Sequence, residues 1–290
     1  MMDRRTFLGT MTAAALLSRK MSFAADDHKI SSVGVQVYTV RDQMKQDFAG
    51  TLAKVAQIGY KEIEFAGYFG HSPKEVRKIL DQNGLTSPSS HVDYKLLGDQ
   101  WAQTLDAAKI IGQPYICCPW IPDEIRNQPD GWKQAADTFN RAGEASKKMG
   151  IQFAYHNHNF EFARTNGTVP YDLLLRETDP SLVKMEMDLC WISVGGGDPV
   201  AYFDRYPGRF PMVHVKDIKK LPPAGQAQWV DPNSLGDQLT DVGNGVIDWK
   251  RIFAAGEKGG IKHYFVEQDY PKDPLASLKN SFTYLQNLRF

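Results

Sequence analysis

Residues 183–215 read VKMEMDLCWISVGGGDPVAYFDRYPGRFPMVHV. Two short runs rich in apolar residues, Val183–Asp188 and Phe210–Val215, are typical of buried strands. Between them, Pro199–Tyr206 carries apolar residues at helical spacing, with proline at the first helical position. A strand, a helix and a second strand in this order predict one unit of a parallel sheet with a crossover helix.

The same alternation continues in both directions along the chain. Six further strands are predicted at Ser32–Val40, Glu62–Phe65, Leu85–His91, Tyr115–Cys118, Ile151–His156 and Tyr264–Glu267. Helices are predicted at Gln46–Ile58, after the Ser72-Pro73 cap, and at Trp101–Ile111, Trp132–Met149, Tyr171–Glu177, Asp248–Ala255 and Leu275–Leu288. Eight strand–helix units in about 265 residues predict an α/β fold, a single-domain (β/α)8 TIM barrel. An open doubly wound sheet is the alternative, but no GxGxxG motif follows the first strand.

The first 25 residues have the character of an export signal. Arg4 and Arg5 precede an apolar run from Leu8 to Leu17, and a small-residue segment ends at Ala25. The paired arginines resemble a twin-arginine signal, whose partner is the twin-arginine export machinery; a general secretory signal or an N-terminal anchor is the alternative. We therefore expect residues 1–25 to be cleaved, residues 26–290 to form the barrel, and the protein to be periplasmic or otherwise exported.

Composition excludes several classes of protein. Apolar residues make up 42% of the 290 residues and the formal net charge is zero. Removing residues 1–25 takes away four basic residues and one acidic residue, which leaves a charge of about −3 and no basic run, so we expect no nucleic-acid partner. Three cysteines, two of them adjacent, form neither a disulfide framework nor a zinc ribbon.

Reactive side chains stand where the predicted strands end. Since reactive groups of a TIM barrel gather at the carboxyl ends of its strands, these side chains should meet at one mouth. They are Glu64, His91, the segment Tyr155–Glu161, Glu186, Asp188, the segment His214–Asp217, Glu267 and Asp269. Carboxylates with one or two histidines suit a hard or borderline divalent cation, which would also relieve their mutual repulsion.

Asp188, His214 and Glu267 are the strongest candidates for ligands, because they end strands six, seven and eight. Each also has a structural alternative: His214 could cap a backbone carbonyl, Asp188 could cap the following turn, and Glu267 could pair with a lysine or arginine. Aromatic residues near the same ends could form apolar walls for a sugar or belong to ordinary packing. These residues are Tyr68, Trp120 and Trp191.

The motifs at these strand ends resemble the xylose isomerase-like TIM barrels. This family includes inosose dehydratase, ketose 3-epimerases and proteins known as sugar phosphate isomerases/epimerases. The resemblance covers essentially the whole chain after residue 25, in the right order. It is carried by Ser89-Ser90-His91, YHNHNFEF (155–162), Met187-Asp188, His214-Val215-Lys216-Asp217, GNGVIDW (243–249) and Val266-Glu267.

The resemblance implies one divalent metal ion, Mn2+, Mg2+, Co2+ or Zn2+, held by Glu, Asp, His and Glu from strands five to eight. Asp188, His214 and Glu267 match the last three ligands. Strand five departs from the pattern, because it carries His156 where many members have glutamate. We expect Glu161 to supply that ligand, with His156 or His158 as the alternative.

The resemblance also implies a reaction: proton transfer next to a sugar carbonyl through a metal-stabilised enediolate. In this interpretation Glu161 or Glu267 removes the proton and Lys216 polarises an oxygen. Substrate contacts are expected from His91, His156, His158, Glu64 and Trp191.

Three functions remain open from the sequence. The first is a metal-dependent sugar isomerase or epimerase. The second is a lyase or hydrolase that cleaves 3-keto-glycosides at the same site, a substrate that export favours over sugar phosphates. The third is a non-catalytic exported sugar-binding protein. The expected partner in each is a small sugar or keto-glycoside, and the oligomeric state is left open.

Overall fold

A computed structural model of the chain describes residues 28–164, 167–223, 234–235 and 238–290. Its centre is a sheet of eight parallel strands with two additional short strands outside it. The barrel strands are β1 (Gly34–Gln36), β2 (Glu62–Phe65), β3 (Thr86–Ser90), β4 (Tyr115–Cys118), β5 (Gln152–His156), β6 (Val183–Asp188), β7 (Met212–Val215) and β10 (His263–Val266). The additional pair is β8 (Asp217–Ile218) and β9 (Leu239–Thr240), which run antiparallel.

The eight strands close into a barrel. Their order is β3-β2-β1-β10-β7-β6-β5-β4, and every neighbouring pair in that order is parallel. The last seam joins β3 to β4 through a parallel bridge between His91 and Cys117, and the amide of Val92 donates to the Cys117 carbonyl at 2.8 Å. The predicted (β/α)8 barrel is therefore confirmed.

Helices surround the strands. They are α1 (Arg41–Gln46), α2 (Phe48–Ile58), α3 (Pro73–Gln82), α4 (Trp101–Ile111), α5 (Asp123–Arg126), α6 (Gly131–Lys148), α7 (Pro170–Glu177), α8 (Leu189–Val194), α9 (Pro199–Arg205), α10 (Trp249–Ala254), α11 (Gly256–Gly259) and α12 (Pro274–Asn287). At the start of α3, Ser72 and Glu75 form the reciprocal capping box that the sequence indicates. Among the described residues, no helix has both the length and the apolar character to cross a bilayer.

Two local departures from the predicted elements have clear causes. The first strand ends at Gln36 instead of Val40, because the Gln36 side chain accepts from the Tyr38 amide and starts a 3-10 turn. The helix predicted at Gln46–Ile58 begins only at Phe48, where Asp47 caps it, and a separate helix, α1, precedes it.

The core lies on both sides of the strands. Because side chains alternate along a strand, one set packs outward against the helices and the other fills the barrel. Cys117, Ala154, Met212 and Phe265 form a small apolar cluster of their own. Two positions after Ala154, Met212 and Phe265 come His156, His214 and Glu267, in that order. Each of these strands therefore carries an apolar side chain and then a reactive one on the same side.

Two predicted segments fall partly or wholly outside the described residues. The export signal at residues 1–25 lies outside them completely. The stretch 218–249, which ends in the GNGVIDW motif, is described only in part, and its Ile218 and Leu239–Thr240 belong to the β8–β9 pair.

Candidate active site

A cavity of about 1160 Å³ opens above the carboxyl ends of the barrel strands. His91, His156, His158, Glu267 and Asp269 contribute to its polar wall. Aromatic side chains form part of the remaining wall: Tyr38, Tyr68, Tyr94, Trp120 and Tyr270. The volume lies slightly above the usual range of ligand pockets, about 300–1,000 Å³.

The barrel brings Asp188, His214 and Glu267 together beneath this cavity, where Glu267 lines the cavity and Asp188 and His214 are fully buried beside it. Each offers one ligand atom, and these atoms lie within 4.8 Å of one another. Nδ1 of His214 is 2.9 Å from Oε2 of Glu267 and 3.9 Å from Oδ2 of Asp188. We call these three residues the mouth group.

Asp188 both caps a helix and faces the mouth group. Its Oδ1 accepts from the amides of Cys190 and Trp191 at 2.9 and 2.7 Å and so starts α8. Its Oδ2 is buried and, within the described part of the chain, accepts no hydrogen bond. The nearest donor to this oxygen is the Lys216 ammonium at 3.4 Å, and the oxygen also faces the His214 imidazole. A buried carboxylate oxygen left without a hydrogen bond can serve as a metal ligand, and the two-oxygen, one-nitrogen set of the mouth group fits a divalent cation.

Lys216 lies beside the mouth group as a buried cation. Its Nζ is 2.8 Å from Asp269, 2.9 Å from Glu267 and 3.4 Å from Asp188. The ammonium group also lies 4.9 Å from the ring centroid of Trp191. Burial alone would lower the pKa of Lys216, but Asp269 and Glu267 raise it well above the ordinary value, so this lysine is charged.

The two carboxylates that contact Lys216 differ in their acidity. Burial would raise the pKa of Glu267, but Lys216 and His214 lower it well below the ordinary value. For Asp269, burial outweighs the effect of Lys216, and the pKa rises to about 6. Asp269 is therefore the stronger base of the two near neutral pH.

A second set of polar residues adjoins the mouth group, from strands β2, β5 and β6 and from the residue after β3. We call Glu64, His91, His156 and Glu186 the inner group. Nε2 of His91 is 2.7 Å from Glu186 and 3.4 Å from Glu64, and Nδ1 of His156 is 3.3 Å from Glu186. His214 joins the two groups, because its Nε2 lies 2.7 Å from Oε2 of Glu64 while its Nδ1 faces Glu267.

The inner group contains two carboxyls of opposite tendency. Burial would raise the pKa of Glu64, but His91 and His214 lower it to about 2. Burial and the nearby Glu64 carboxylate raise the pKa of Glu186 to about 7. Glu64 is therefore ionised near neutral pH, whereas Glu186 can hold or release a proton there.

Glu161 lies apart from both groups. Its Oε1 accepts from the Tyr155 hydroxyl at 2.6 Å and its Oε2 accepts from the His158 amide at 2.9 Å. We expected Glu161 among the metal ligands and bases, but in the fold its two oxygens accept from Tyr155 in β5 and from the loop after that strand. From that strand it is His156 that reaches the centre of the barrel.

The other expected substrate contacts occupy different positions. His91, exposed by 12%, and His158 lie on the cavity wall. Glu64 and Trp191 are fully buried, Glu64 against His214 and Trp191 beneath Lys216. They therefore support the residues at the cavity floor instead of lining the cavity.

A family model of known proteins agrees with the barrel fold of this chain. The family model described as xylose isomerase-like TIM barrel matches residues 52–288. The chain belongs to the xylose isomerase-like TIM barrel family.

Relatives within and around this family have different names. A sugar phosphate isomerase/epimerase structure from Parabacteroides distasonis ATCC 8503 is 29% identical, covers 89% of this chain and 98% of its own, and superposes with a TM-score of 0.73. An inosose dehydratase from Lacticaseibacillus casei is 25% identical over 78% of this chain and 84% of its own length. The crystal structure of an IolI protein with a bound zinc atom covers 87% of this chain and 95% of its own with a TM-score of 0.67, and at 14% identity that likeness shows the fold alone.

Proposed function

We propose that this family member is a divalent-metal-dependent enzyme that isomerises or epimerises a sugar by moving a proton next to its carbonyl group. The observation that carries the proposal is the mouth group, in which ligand atoms of Asp188, His214 and Glu267 lie within 4.8 Å of one another and Glu267 lines a large cavity. The names of the relatives, a sugar phosphate isomerase/epimerase and an inosose dehydratase, support a polyhydroxylated carbonyl substrate.

The mouth group would hold the cation through Asp188, His214 and Glu267. When bound, a divalent ion would supply Lewis-acid stabilisation of negative charge on a substrate oxygen. The zinc atom in the IolI structure supports Zn2+ as one candidate. The same donor set also admits Mn2+, Mg2+ or Co2+.

The proposal assigns a different role to each of the three charged residues Lys216, Asp269 and Glu267. Asp269 accepts the proton, because its pKa of about 6 keeps it ionised at neutral pH and leaves it basic enough to take a proton up. Glu267 is assigned to the cation, because its strongly lowered pKa makes it a weak base. Lys216 donates a hydrogen bond to the developing oxyanion, and His91 and His158 orient hydroxyl groups from the cavity wall.

Solvent exchange tests the proposal directly. The protein, reloaded with Mn2+ or Zn2+, is incubated in deuterium oxide with a panel of keto-sugars and inososes, and proton NMR follows loss of signal next to the carbonyl. We expect exchange on at least one compound, loss of that exchange in Glu267→Gln and Asp269→Asn, and no loss in the exposed control Asp204→Asn. Binding of a panel sugar without exchange would instead identify a sugar-binding protein.

Eliminative cleavage is the second candidate, and two observations favour it. The inosose dehydratases are lyases by name, and the cavity is large enough for a substrate that carries a further group. Burial lowers the pKa of His91, but Glu64 and Glu186 outweigh burial and raise it, which makes His91 a proton donor on the cavity wall for a departing oxygen. Mass spectrometry separates the two reactions, because 3-keto-glycosides would lose their glycosidic group only in the second.

We also propose that the protein acts after export. The support is the pair Arg4-Arg5 ahead of an apolar run. Replacing both arginines by lysine should retain the protein in the cytoplasm, and cell fractionation measures this. Unchanged export would point to a general secretory signal.

A further inference from the structure

The inner group has the arrangement of a second cation site. Three of its members, His91, His156 and Glu186, offer ligand atoms that lie, together with one of His214, within 4.8 Å of one another. The fourth member, Glu64, is 3.4 Å from His91 through its Oε2. Donors on one tetrahedral zinc ion are about 3.4 Å apart, given metal–nitrogen distances of about 2.1 Å. The 3.3 Å between Nδ1 of His156 and Oε2 of Glu186 matches that spacing. The 2.7 Å between Nε2 of His91 and the same oxygen is a hydrogen-bond distance, and a bound cation would replace this contact.

Three atoms of the inner group lack hydrogen-bond partners. Nδ1 of His156, Oε1 of Glu186 and Oε1 of Glu64 are all buried, and none makes a hydrogen bond with any described residue. Buried polar atoms in native proteins are almost always satisfied. Three unsatisfied atoms from three different strands therefore indicate a ligand that binds between them.

The charge balance at the floor leaves room for more than one divalent cation. Among the described residues, five buried carboxyl groups converge here, from Glu64, Glu186, Asp188, Glu267 and Asp269, and Lys216 is the one ammonium group facing them. With all five carboxyl groups ionised and the histidines neutral, a single divalent ion leaves two negative charges, which either two bound protons or a second divalent ion would balance. Burying uncompensated charge is costly, so the second ion has a physical reason to bind.

We propose that the inner group binds a second divalent cation through His91 Nε2, His156 Nδ1, Glu186 and Glu64. This site does not rest on the proposed reaction, but with the ion bound His91 is a ligand and no longer a hydroxyl contact or a proton donor. The two oxygens of Glu64 have different roles. Its Oε2 accepts from His214 Nε2 at 2.7 Å and from the Gln36 side chain at 3.0 Å, which leaves Oε1 for the inner ion. That hydrogen bond places the lone pair of His214 on Nδ1, toward the mouth group. Two imidazoles with two carboxylates favour Zn2+, Co2+ or Mn2+ over Mg2+.

Metal stoichiometry tests the second site without measuring turnover. The protein is stripped with EDTA, reloaded with Zn2+, freed of excess metal and analysed by inductively coupled plasma mass spectrometry. We expect two ions per chain in the wild type, one in the mouth variant Asp188→Asn/Glu267→Gln, and one in the inner variant His91→Asn/His156→Asn. His263→Asn is the matched control. His263 pairs with Glu62 at 2.9 Å and belongs to neither group, so its replacement should leave two ions bound.

Titration of the wild type with Co2+ gives the same answer if a variant fails to fold. Visible absorption should rise in two steps and end at two equivalents. One ion that is lost only in the mouth variant would overturn the second site and leave the proposed function intact. One ion that is lost only in the inner variant would overturn both, as would an absence of bound metal.

Discussion

Lys216 is a charged lysine with almost no exposed surface, and the three carboxylates around it stabilise its buried charge. We expect Lys216→Met to lower the free energy of unfolding of the metal-free protein by about 3–5 kcal/mol, because buried carboxylates lose their counterion. Urea unfolding in EDTA measures the loss, and added Zn2+ should restore part of it. Lys258→Met, which removes an exposed pair with Asp204, should cost less than about 1 kcal/mol. Equal losses in the two variants would show that the Lys216 cluster is not a coupled buried network.

Glu161 gives the protein a pH dependence of stability that a single substitution can isolate. Burial raises its pKa from 4.5 to about 7, so between these values the folded chain holds a proton that the unfolded chain has released. The contribution of Glu161 to stability is therefore complete below about pH 4.5 and is lost as the pH rises to about 7, by up to about 3 kcal/mol.

Glu161→Gln should remove that loss, because the amide can accept from the His158 amide and donate to the Tyr155 hydroxyl. Urea unfolding of wild type and variant at pH 5 and pH 8 checks it. We expect the variant to gain stability relative to the wild type at the higher pH. The same difference between the two proteins at both pH values would contradict the assigned pKa.

The residues of the site differ in how far the sequence could predict them. Asp188, His214 and Glu267 end predicted strands, and the fold brings them together. Glu186 precedes Asp188 by two positions and Asp269 follows Glu267 by two, a spacing that puts them on the same side of an extended segment. That spacing was available in the sequence, but the contact of Asp269 with Lys216 depends on the turn after β10, which periodicity does not predict.

The loop after β7 is organised by one carboxylate. Asp217 accepts from the amides of Ile218, Gly243, Gly245 and Ile247 and from Nε1 of Trp249, at distances of 2.9 to 3.3 Å. A side chain at Gly245 would collide with this carboxylate, since a Cβ there would lie 2.0 Å from Oδ1. The GNGVIDW motif is therefore explained as a loop built around Asp217.

Asp217→Asn should destabilise this loop, because its amide group would face donors with a donor. We expect a loss of about 1–3 kcal/mol in the free energy of unfolding and faster proteolytic cleavage between residues 218 and 246. Asp248→Asn is the matched control, because asparagine caps a helix about as well as aspartate and Asp248 caps α10. Equal rates of proteolysis in the two variants would show that Asp217 does not organise this loop.

Elements with strong periodicity were predictable, and those set by a side chain were not. The bounds of β2, β4, β6 and α4 agree with the predicted ones, since each carries apolar residues at strand or helical spacing. Helix α8 was missed, because its six residues are too few for a helical period to show. The sequence offers a turn cap and a metal ligand as alternatives for Asp188, and in the fold its Oδ1 caps α8 while its Oδ2 faces the mouth group.

The floor of the cavity is a property of the closed barrel. Its residues span positions 64 to 269, and strands β2, β3, β5, β6, β7 and β10 each contribute at least one of them. A cation bound there connects strands that are distant in the chain. Because the unfolded chain does not hold these donors together, binding should stabilise the whole barrel and not one loop.

Metal removal should therefore lower the melting temperature of the entire protein. At a free metal concentration of 100 times Kd, one site adds about 2.7 kcal/mol to the free energy of unfolding. At roughly 2–4 °C per kcal/mol for a large domain, this corresponds to about 5–10 °C. Calorimetry in Zn2+ and in EDTA measures the shift, and Asp204→Asn should retain it. The mouth variant Asp188→Asn/Glu267→Gln should lose the mouth-site share of the shift, whereas equal melting temperatures of the wild type with and without metal would show that the carboxylates and histidines at these six strand ends are balanced by protons alone.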